Sequence, residues 1–585
     1  EKSKQLMAFC GFISVSLLFV GIIVFGDDES IRYQPPISFL GHTNKPDLEY
    51  VSIYRDDTDP TSVTIDVTPD YIDSPKGFAN VEVKWMGNNG FKPNKNDWIG
   101  IYSPANATDN EYLDWFYSDG KSSGIYNISL WNMRSNYELR YFLNNGNGNY
   151  VLEGVSNIVT VNDKQPLQIH LSLTDNSPNE MQFRWVSTLI KNPMLQIGIQ
   201  SGIYSNSIDA TYYTYDTTYM CGSSASIVSP TQFRDPGYIY TAIASNLTEN
   251  TRYYYRFGNN NDWSPEYTFK TGMIGSDDTW KFIMYGDQGT YTDAFPTIAN
   301  IVKDMKTYNN IELLLHIGDL SYAWGNGYTW EIWSNMVTDI SGYIPYMVSI
   351  GNHEYDHTSK CNSPSGLDVS GVGGNGYHPS WGNFGDDSNG ECGAPSYFRY
   401  NASLGGPQSN SIFWYSLNYK SIHFIMLSSE HDLSSNSPAF NFLLNDLKSV
   451  NRDITPWVIV NIHRPLYESE IYSSDNTVSE HLVEQLEPTL LQYNVDMVLA
   501  GHFHAYQRTC SVANYKCVNN GGIIHLTIGT AGIGLDDAKY KNVDWTEFSD
   551  ESDHGYARFT VNKTTLYMEY VTNNHGVLDT LTLTK

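Results

Sequence analysis

Five short polar blocks follow one another along the chain: Asp287-Gln288-Gly289, Gly318-Asp319-Leu320-Ser321-Tyr322, Gly351-Asn352-His353-Glu354, Val460-Asn461-Ile462-His463 and Gly501-His502-Phe503-His504. Carboxylate, phenol, carboxamide and imidazole are ligands for borderline to hard cations, and a carboxylate such as Asp319 can bridge two of them. Each block comes directly after an apolar, β-rich run, at 282–285, 313–317, 346–350, 457–462 and 495–500. The polar residues therefore fall where a strand ends and a loop begins, which is where open α/β sheets bind ligands. The alternative, that they are only buried polar groups capping strands, does not explain why five sets carry ligand types.

From residue 280 onward the strand-like runs alternate with helical periodicity over 294–308, 330–340, 440–450 and 478–493. This is the pattern of strand–helix–strand units in a layered α/β domain. The tail returns to β pattern at 523–528, 557–561 and 565–571 and is expected to complete the second sheet.

In order and residue type the blocks resemble the purple acid phosphatases of the calcineurin-like metallophosphoesterase superfamily. The resemblance implies an αββα metallophosphoesterase sandwich at 273–585, preceded by two all-β sandwich domains. Carried over residue by residue, it makes Asp287, Tyr322 and His504 ligands of one metal, Asn352, His463 and His502 ligands of the other, and Asp319 the bridge. Tyr322 discriminates, because in that family a tyrosinate on Fe(III) gives the purple colour. The implied cofactors are Fe(III) plus a second divalent metal, Fe, Zn or Mn. The implied activity is that of a binuclear acid phosphatase, hydrolysing phosphomonoesters or nucleotide pyrophosphate bonds. Two such cations, about 3.5–4 Å apart, polarise phosphoryl oxygens and acidify a bound water, supplying a hydroxide nucleophile.

The resemblance extends over nearly the whole chain. His316-Ile317-Gly318-Asp319, Gly390-Glu391-Cys392-Gly393, Phe413-Trp414-Tyr415, Ser429-Glu430-His431-Asp432, His463-Arg464-Pro465 and Arg508-Thr509-Cys510 are similar to the large members with an extra N-terminal β domain. Some of these are described as diphosphonucleotide phosphatase/phosphodiesterases and others as probably inactive. His353 matches the family's phosphate-contacting histidine. The smaller plant enzymes carry a histidine pair shortly after the fourth block, but here that stretch reads Tyr467-Glu468-Ser469-Glu470-Ile471-Tyr472-Ser473. The proton donor to the leaving group is thus left to His353, His431 or solvent, and His316 reads as a satisfied strand histidine. Two other readings stay open: a weak or inactive homologue acting as a cell-surface adhesion module, and a non-iron Mn or Zn phosphodiesterase.

Upstream, alternating segments such as Val81–Trp85 and Trp98–Tyr102 between Gly- and Asn-rich turns mark a β-sandwich over 30–162. A second β pattern occupies 163–272, where Trp185 looks like the core tryptophan of a fibronectin type III sandwich and Leu247 with Tyr253 like its tyrosine corner. At 585 residues the chain exceeds one core.

There are 64 acidic and 35 basic side chains, a formal charge of −29. Such a surface repels nucleic-acid polymers and anionic leaflets, leaving small phosphorylated substrates as the expected partners. Residues 6–26 are uncharged and span about 31 Å as a helix, enough for a signal anchor or a long signal peptide in the tail 1–29. Lys2 and Lys4 before it and Asp27, Asp28 and Glu29 after it place the bulk of the chain on the luminal side, in the secretory pathway. A lysosomal, vacuolar, extracellular or surface-anchored location follows, with membrane contact only through that segment. Glycosylation acceptors at Asn106, Asn127, Asn246, Asn401 and Asn562 lie on the same side. Of the cysteines, Cys10 lies in the apolar segment. Cys510 and Cys517 flank a short polar stretch and Cys361 and Cys392 bracket a Gly- and Ser-rich insertion, so these are the expected disulfides, leaving Cys221 a free thiol. A structural zinc site lacks Cys-x-x-Cys spacing.

Overall fold

The computed structural model describes residues 52–54 and 62–585, apart from 89, 147–148, 260–262, 358–367, 403, 405–407, 472 and 538. The first β region has a five-stranded sheet, in the order Ser52–Tyr54, Asn149–Val155, Glu138–Asn144, Trp98–Tyr102 and Asp114–Tyr117. A three-stranded sheet, Val63–Thr68, Phe78–Gly87 and Ser123–Trp131, accompanies it. Val63–Thr68 alternates buried and exposed residues strictly, as a half-buried strand must. Aromatics fill one core here, where Trp98 stacks on Phe142 with ring centroids 4.4 Å apart.

The second β region pairs two four-stranded sheets. Trp185 is fully buried against Tyr240 and Phe257, and the Tyr253 hydroxyl accepts the Thr248 N–H at 2.8 Å, closing the tyrosine corner.

Two mixed sheets form the remainder. The six-stranded one runs Tyr346–Ser349, Ile311–Ile317, Trp280–Tyr285, Gly555–Val561, Thr565–Thr572 and Gly576–Thr584. The seven-stranded one runs Tyr415–Tyr419, Ile422–Leu427, Trp457–Ile462, Met497–Ala500, Ile524–Ile528, Tyr506–Thr509 and Thr546–Asp550. Within each, the central strands are parallel and buried on both faces, which is why they read as continuous Leu/Ile/Val runs. Helices Ala294–Thr307, Gly327–Met336, Pro438–Ser449 and Ser473–Gln492 follow strands much as the periodicity expects. With the β regions before them, these layers give the α/β sandwich preceded by all-β units that the blocks imply.

Two expectations need correction. The tail does not complete the second sheet as a unit: Ile524–Ile528 joins it, but Gly555–Val561 pairs antiparallel with Trp280–Tyr285 and extends the first sheet. Nor does Cys392 pair with Cys361, which lies outside the described residues; it is bonded to Cys221, 171 positions away. The reason is packing, because the second β region lays its 220–226 segment on the turn before Cys392, with the Cys221 N–H donating to the Gly390 carbonyl at 2.8 Å. Cys510–Cys517 forms as expected. The apolar stretch 6–26 lies outside the described residues, and among the described ones no helix is long and apolar enough to cross a membrane. Asn106, Asn127 and Asn246 are exposed, whereas Asn401 and Asn562 are partly buried.

Candidate metal centre

All seven ligand candidates converge at the C-terminal ends of the parallel strands, between the two sheets. Asp287 follows Trp280–Tyr285, Asp319 and Tyr322 follow Ile311–Ile317, Asn352 follows Tyr346–Ser349, His463 follows Trp457–Ile462, and His502 and His504 follow Met497–Ala500. The turns that present them are tight. Asp287, Asp319, Tyr322 and His502 take left-handed φ of 62°, 51°, 51° and 74°, a conformation costing of order 1–3 kcal/mol each and kept where surroundings over-determine it. Two motif glycines are required by close approach: a Cβ at Gly351 would collide with Asp319 Oδ1, and one at Gly501 with Asp287 Oδ2.

The ligands form two groups sharing Asp319. In one, the Tyr322 hydroxyl stands 3.1 Å from Asp287 Oδ1, 3.1 Å from Asp319 Oδ2 and 3.0 Å from His504 Nε2. A phenol has one proton and cannot donate to all three. In the other, Asn352 Oδ1 lies 3.1 Å from His463 Nε2 and 3.0 Å from His502 Nδ1, and His463 Nε2 lies 3.3 Å from Asp319 Oδ1.

The outer nitrogens show what the inner ones are for. His463 Nδ1 faces the Ile317 carbonyl at 2.9 Å, His504 Nδ1 the Gly534 carbonyl at 3.0 Å, and His502 Nε2 the Asp475 carboxylate at 3.3 Å. The carbonyls behind His463 and His504 favour the tautomer that turns a lone pair inward, the arrangement of metal-ligating imidazoles, while His502 Nε2 is shared between the Asp475 carboxylate and Arg464 Nη1 at 3.4 Å. The oxygen-rich group holding a phenol suits a hard trivalent ion and the nitrogen-rich group a borderline divalent one, so these residues fit a binuclear centre.

Electrostatics agree. Burial, with Asp319 adding to it, pushes the Asp287 carboxyl well above the usual range. Burial and then the two carboxylates push the Tyr322 phenol far up as well. Burial also opposes charge on Asp319, but His463 beside it holds that carboxyl low; in return burial opposes and Asp319 favours the His463 imidazolium, lifting it to about 10. A cation in place of that proton lets all three oxygen ligands ionise, so metal affinity falls as pH falls.

Residues outside the ligand set hold the ligands. Glu354 accepts the N–H of Asp319 at 2.7 Å, of Leu320 at 2.7 Å and of Gly351 at 2.9 Å, clamping two ligand loops with one carboxyl. Arg464 reaches Glu430 at 2.7 Å and Asp475 at 3.2 Å, steadying the carboxylate behind His502. Asp536 accepts the His504 N–H at 2.7 Å, and Asp387 accepts from Asn352 Nδ2 at 3.0 Å. Of these, Glu354, Glu430 and Arg464 lie within stretches that the sequence flags, whereas Asp387, Asp475 and Asp536 do not.

Of the other candidates, His353 is at the site. Its Nε2 lies 3.9 Å from Asp319 Oδ2, and its Nδ1 sits between the Trp324 indole N–H and the Asp387 carbonyl, 3.1 Å from each. His431 is not brought there. It is 2% exposed, boxed by Tyr355, Phe413 and Trp414, with Nδ1 2.8 Å from Ser428 Oγ, and burial lowers it to about 4. His316 is a buried strand residue bonded to the Tyr346 hydroxyl at 2.8 Å. Tyr472 lies outside the described residues, and Ser473 opens the helix Ser473–Gln492.

Comparison with known proteins gives a consistent picture. Residues 166–271 match the family model of the purple acid phosphatase N-terminal domain, 281–506 that of calcineurin-like phosphoesterases, and 522–580 that of the iron/zinc purple acid phosphatase-like protein C. A protein of Arabidopsis thaliana named as a probable inactive purple acid phosphatase is 31% identical over 580 residues, covering 88% of this chain and 84% of that one. A nucleotide pyrophosphatase/phosphodiesterase of Hordeum vulgare is 30% identical over 352 residues, covering 55% of this chain and 88% of its own. The solved structure of a purple acid phosphatase from yellow lupin seeds superposes with a TM-score of 0.75 at 26% identity, covering 89% of this chain and 96% of that one.

Proposed function

Because the chain belongs to the purple acid phosphatase family of calcineurin-like phosphoesterases, we propose that it is an active hydrolase of phosphomonoesters and nucleotide pyrophosphate bonds, working with Fe(III) and a second divalent cation, Fe, Zn or Mn. The observation that carries this is Tyr322, whose hydroxyl meets Asp287, Asp319 and His504 at 3.0–3.1 Å with the remaining ligands intact beside it. Relatives named as probably inactive weigh on the other side, but His463 and His504, whose outer nitrogens face backbone carbonyls and whose inner nitrogens turn to the ligand cluster, are hard to explain without a metal. When bound, the cation pair supplies Lewis-acid charge for phosphoryl oxygens and an acidified water.

The protein's own share is positional. Asp319 holds the two ligand groups in register, Glu354 fixes the loops that carry Asp319 and Asn352, and His353 directs Nε2 over the shared carboxylate, where transition-state charge on the phosphoryl group needs a donor. A disulfide between two β-connected regions suits the oxidising secretory compartment.

The metal assignment is tested by composition and colour. The purified protein is expected to contain iron and to show a broad visible charge-transfer band, which Tyr322→Phe removes while far-UV circular dichroism stays unchanged. Colourless protein fully loaded with Mn or Zn would place it with the non-iron phosphodiesterases.

Leaving-group chemistry gives a second test. With His431 buried and Tyr472 and Ser473 in place of the plant histidine pair, leaving groups must depart with little help. Nucleotide and aryl esters are therefore expected to be hydrolysed far better than simple alkyl phosphates. General acid catalysis contributes about 10²-fold or more where the leaving group is basic, so histidines introduced at 472 and 473 should raise alkyl-phosphate turnover selectively. The measurement is kcat/KM across esters of graded leaving-group pKa; a flat profile in the wild type contradicts the argument.

A further inference from the structure

Beside the cluster stands a large apolar side chain whose indole N–H holds His353 at 3.1 Å but whose exposure neither folding nor that hydrogen bond accounts for. Trp324 is 37% exposed, and its backbone adopts a left-handed φ of 49°. An indole in water on a strained backbone is doubly unfavourable, the combination found where function over-determines a residue. Its ring centroid lies 5.8 Å from that of Tyr322 and 5.9 Å from that of His353. The indole thus borders both the metal group holding the phenol and the histidine over the shared carboxylate.

Its backbone is held rigidly. The Trp324 carbonyl accepts from Ser224 Oγ at 3.1 Å and from Asn389 Nδ2 at 3.0 Å, and the next N–H, of Gly325, donates to Glu391 at 3.1 Å. Ser224 belongs to the second β region and Asn389 to the insertion, and the Cys221–Cys392 bond fastens those two segments together.

We propose that Trp324 is a specificity residue of the hydrolytic site: the aromatic part of the leaving group, an aryl ring or a nucleobase, stacks on its indole while the phosphoryl group sits at the ligand cluster. The inference rests on the hydrolase reading above and adds the class of leaving group. It differs from the proton-donor argument, which favours any weakly basic leaving group, aromatic or not; the platform favours a planar ring whatever its basicity.

The test uses ligands with no leaving group at all. Benzylphosphonate and propylphosphonate are measured as competitive inhibitors of the metal-loaded full chain, in wild type, Trp324→Phe, Trp324→Ala and Trp324→Asn. Asparagine tolerates left-handed φ, so that variant removes the ring without adding backbone strain. Wild type is expected to prefer the benzyl compound by about tenfold, equal to about 1.4 kcal/mol and within the range of base–aromatic stacking. Trp324→Phe should keep most of the preference, and Trp324→Ala and Trp324→Asn should bring it within about twofold of unity. A preference unchanged in the ring-less variants overturns the platform while leaving the hydrolase reading intact. Failure of both phosphonates and of inorganic phosphate to compete in wild type overturns both.

Discussion

Asp319→Asn should lower kcat/KM by about 10³-fold or more and deplete both metals together. The two carboxylate oxygens divide their contacts: Oδ2 is 3.1 Å from the Tyr322 hydroxyl, and Oδ1 is 3.3 Å from His463 Nε2. Replacing the charge with an amide weakens both groups, and the loss of several kcal/mol of transition-state charge stabilisation corresponds to about three decades in rate. Asparagine tolerates the φ of 51° at this position, so the fold is preserved; Asp319→Ala serves as the harsher comparison. Asn352→Ala removes an oxygen shared only by His463 and His502 and should release mainly one equivalent. Metal content per chain, measured by elemental analysis alongside kcat/KM, separates the cases. Full occupancy or retained turnover in Asp319→Asn would sink the bridging role and with it the two-group assignment.

The ligand set was legible because each ligand sits one to five residues beyond a buried parallel strand, and parallel strands betray themselves as unbroken apolar runs. What holds the ligands was not. Glu354 lies inside a block but looks like any exposed acid until three N–H groups are seen to converge on it. Asp475 and Asp536 lie in stretches with no periodicity to distinguish them. His431 shows the opposite error, since Ser429-Glu430-His431-Asp432 reads as a polar surface turn. Glu430 is in fact buried between His357 at 3.0 Å and Arg464 at 2.7 Å, and aromatics roof the histidine.

At fold level, strand existence was readable and strand partnership was not. The patterns of 557–561 and 565–571 specify strands, but the open edge of Trp280–Tyr285 that receives the first of them belongs to a segment some 270 residues earlier. Cys221 posed the same difficulty. Cysteine parity allows several pairings, and the correct one depends on how the 220–226 segment packs on the turn before Cys392.

That packing centres on one carboxylate, and removing it is the remaining large effect. Glu331, 1% exposed on the helix Gly327–Met336, receives Arg134 Nη1 at 2.7 Å from the first β region and Gln168 Nε2 at 2.6 Å from the second. Arg399 Nη2 reaches it at 2.8 Å from the helix Ala394–Tyr400. Burial works against its charge, but the two guanidiniums prevail and bring it from an ordinary 4.5 down to about 2. A carboxyl depressed in the folded state stabilises fully above its unfolded value, so this contribution, about 3 kcal/mol, is complete above about pH 4.5 and is lost as pH falls toward about 2. The junction is therefore intact at mildly acidic pH. Glu331→Gln leaves two buried guanidiniums facing an amide and should cost about 3–5 kcal/mol at pH 7. The consequence reaches the metal centre, because Trp333 on the same helix donates to Gln288 Oε1 at 2.9 Å, next to the ligand Asp287. Urea midpoints for wild type and Glu331→Gln should be far apart at pH 7, narrow below about pH 4.5 and come close together only as pH approaches about 2. Arg134→Ala should loosen only the first β region, read as faster proteolysis between residues 155 and 167. Equal midpoints at pH 7, or a gap that does not narrow in acid, would show that this carboxylate does not carry the junction.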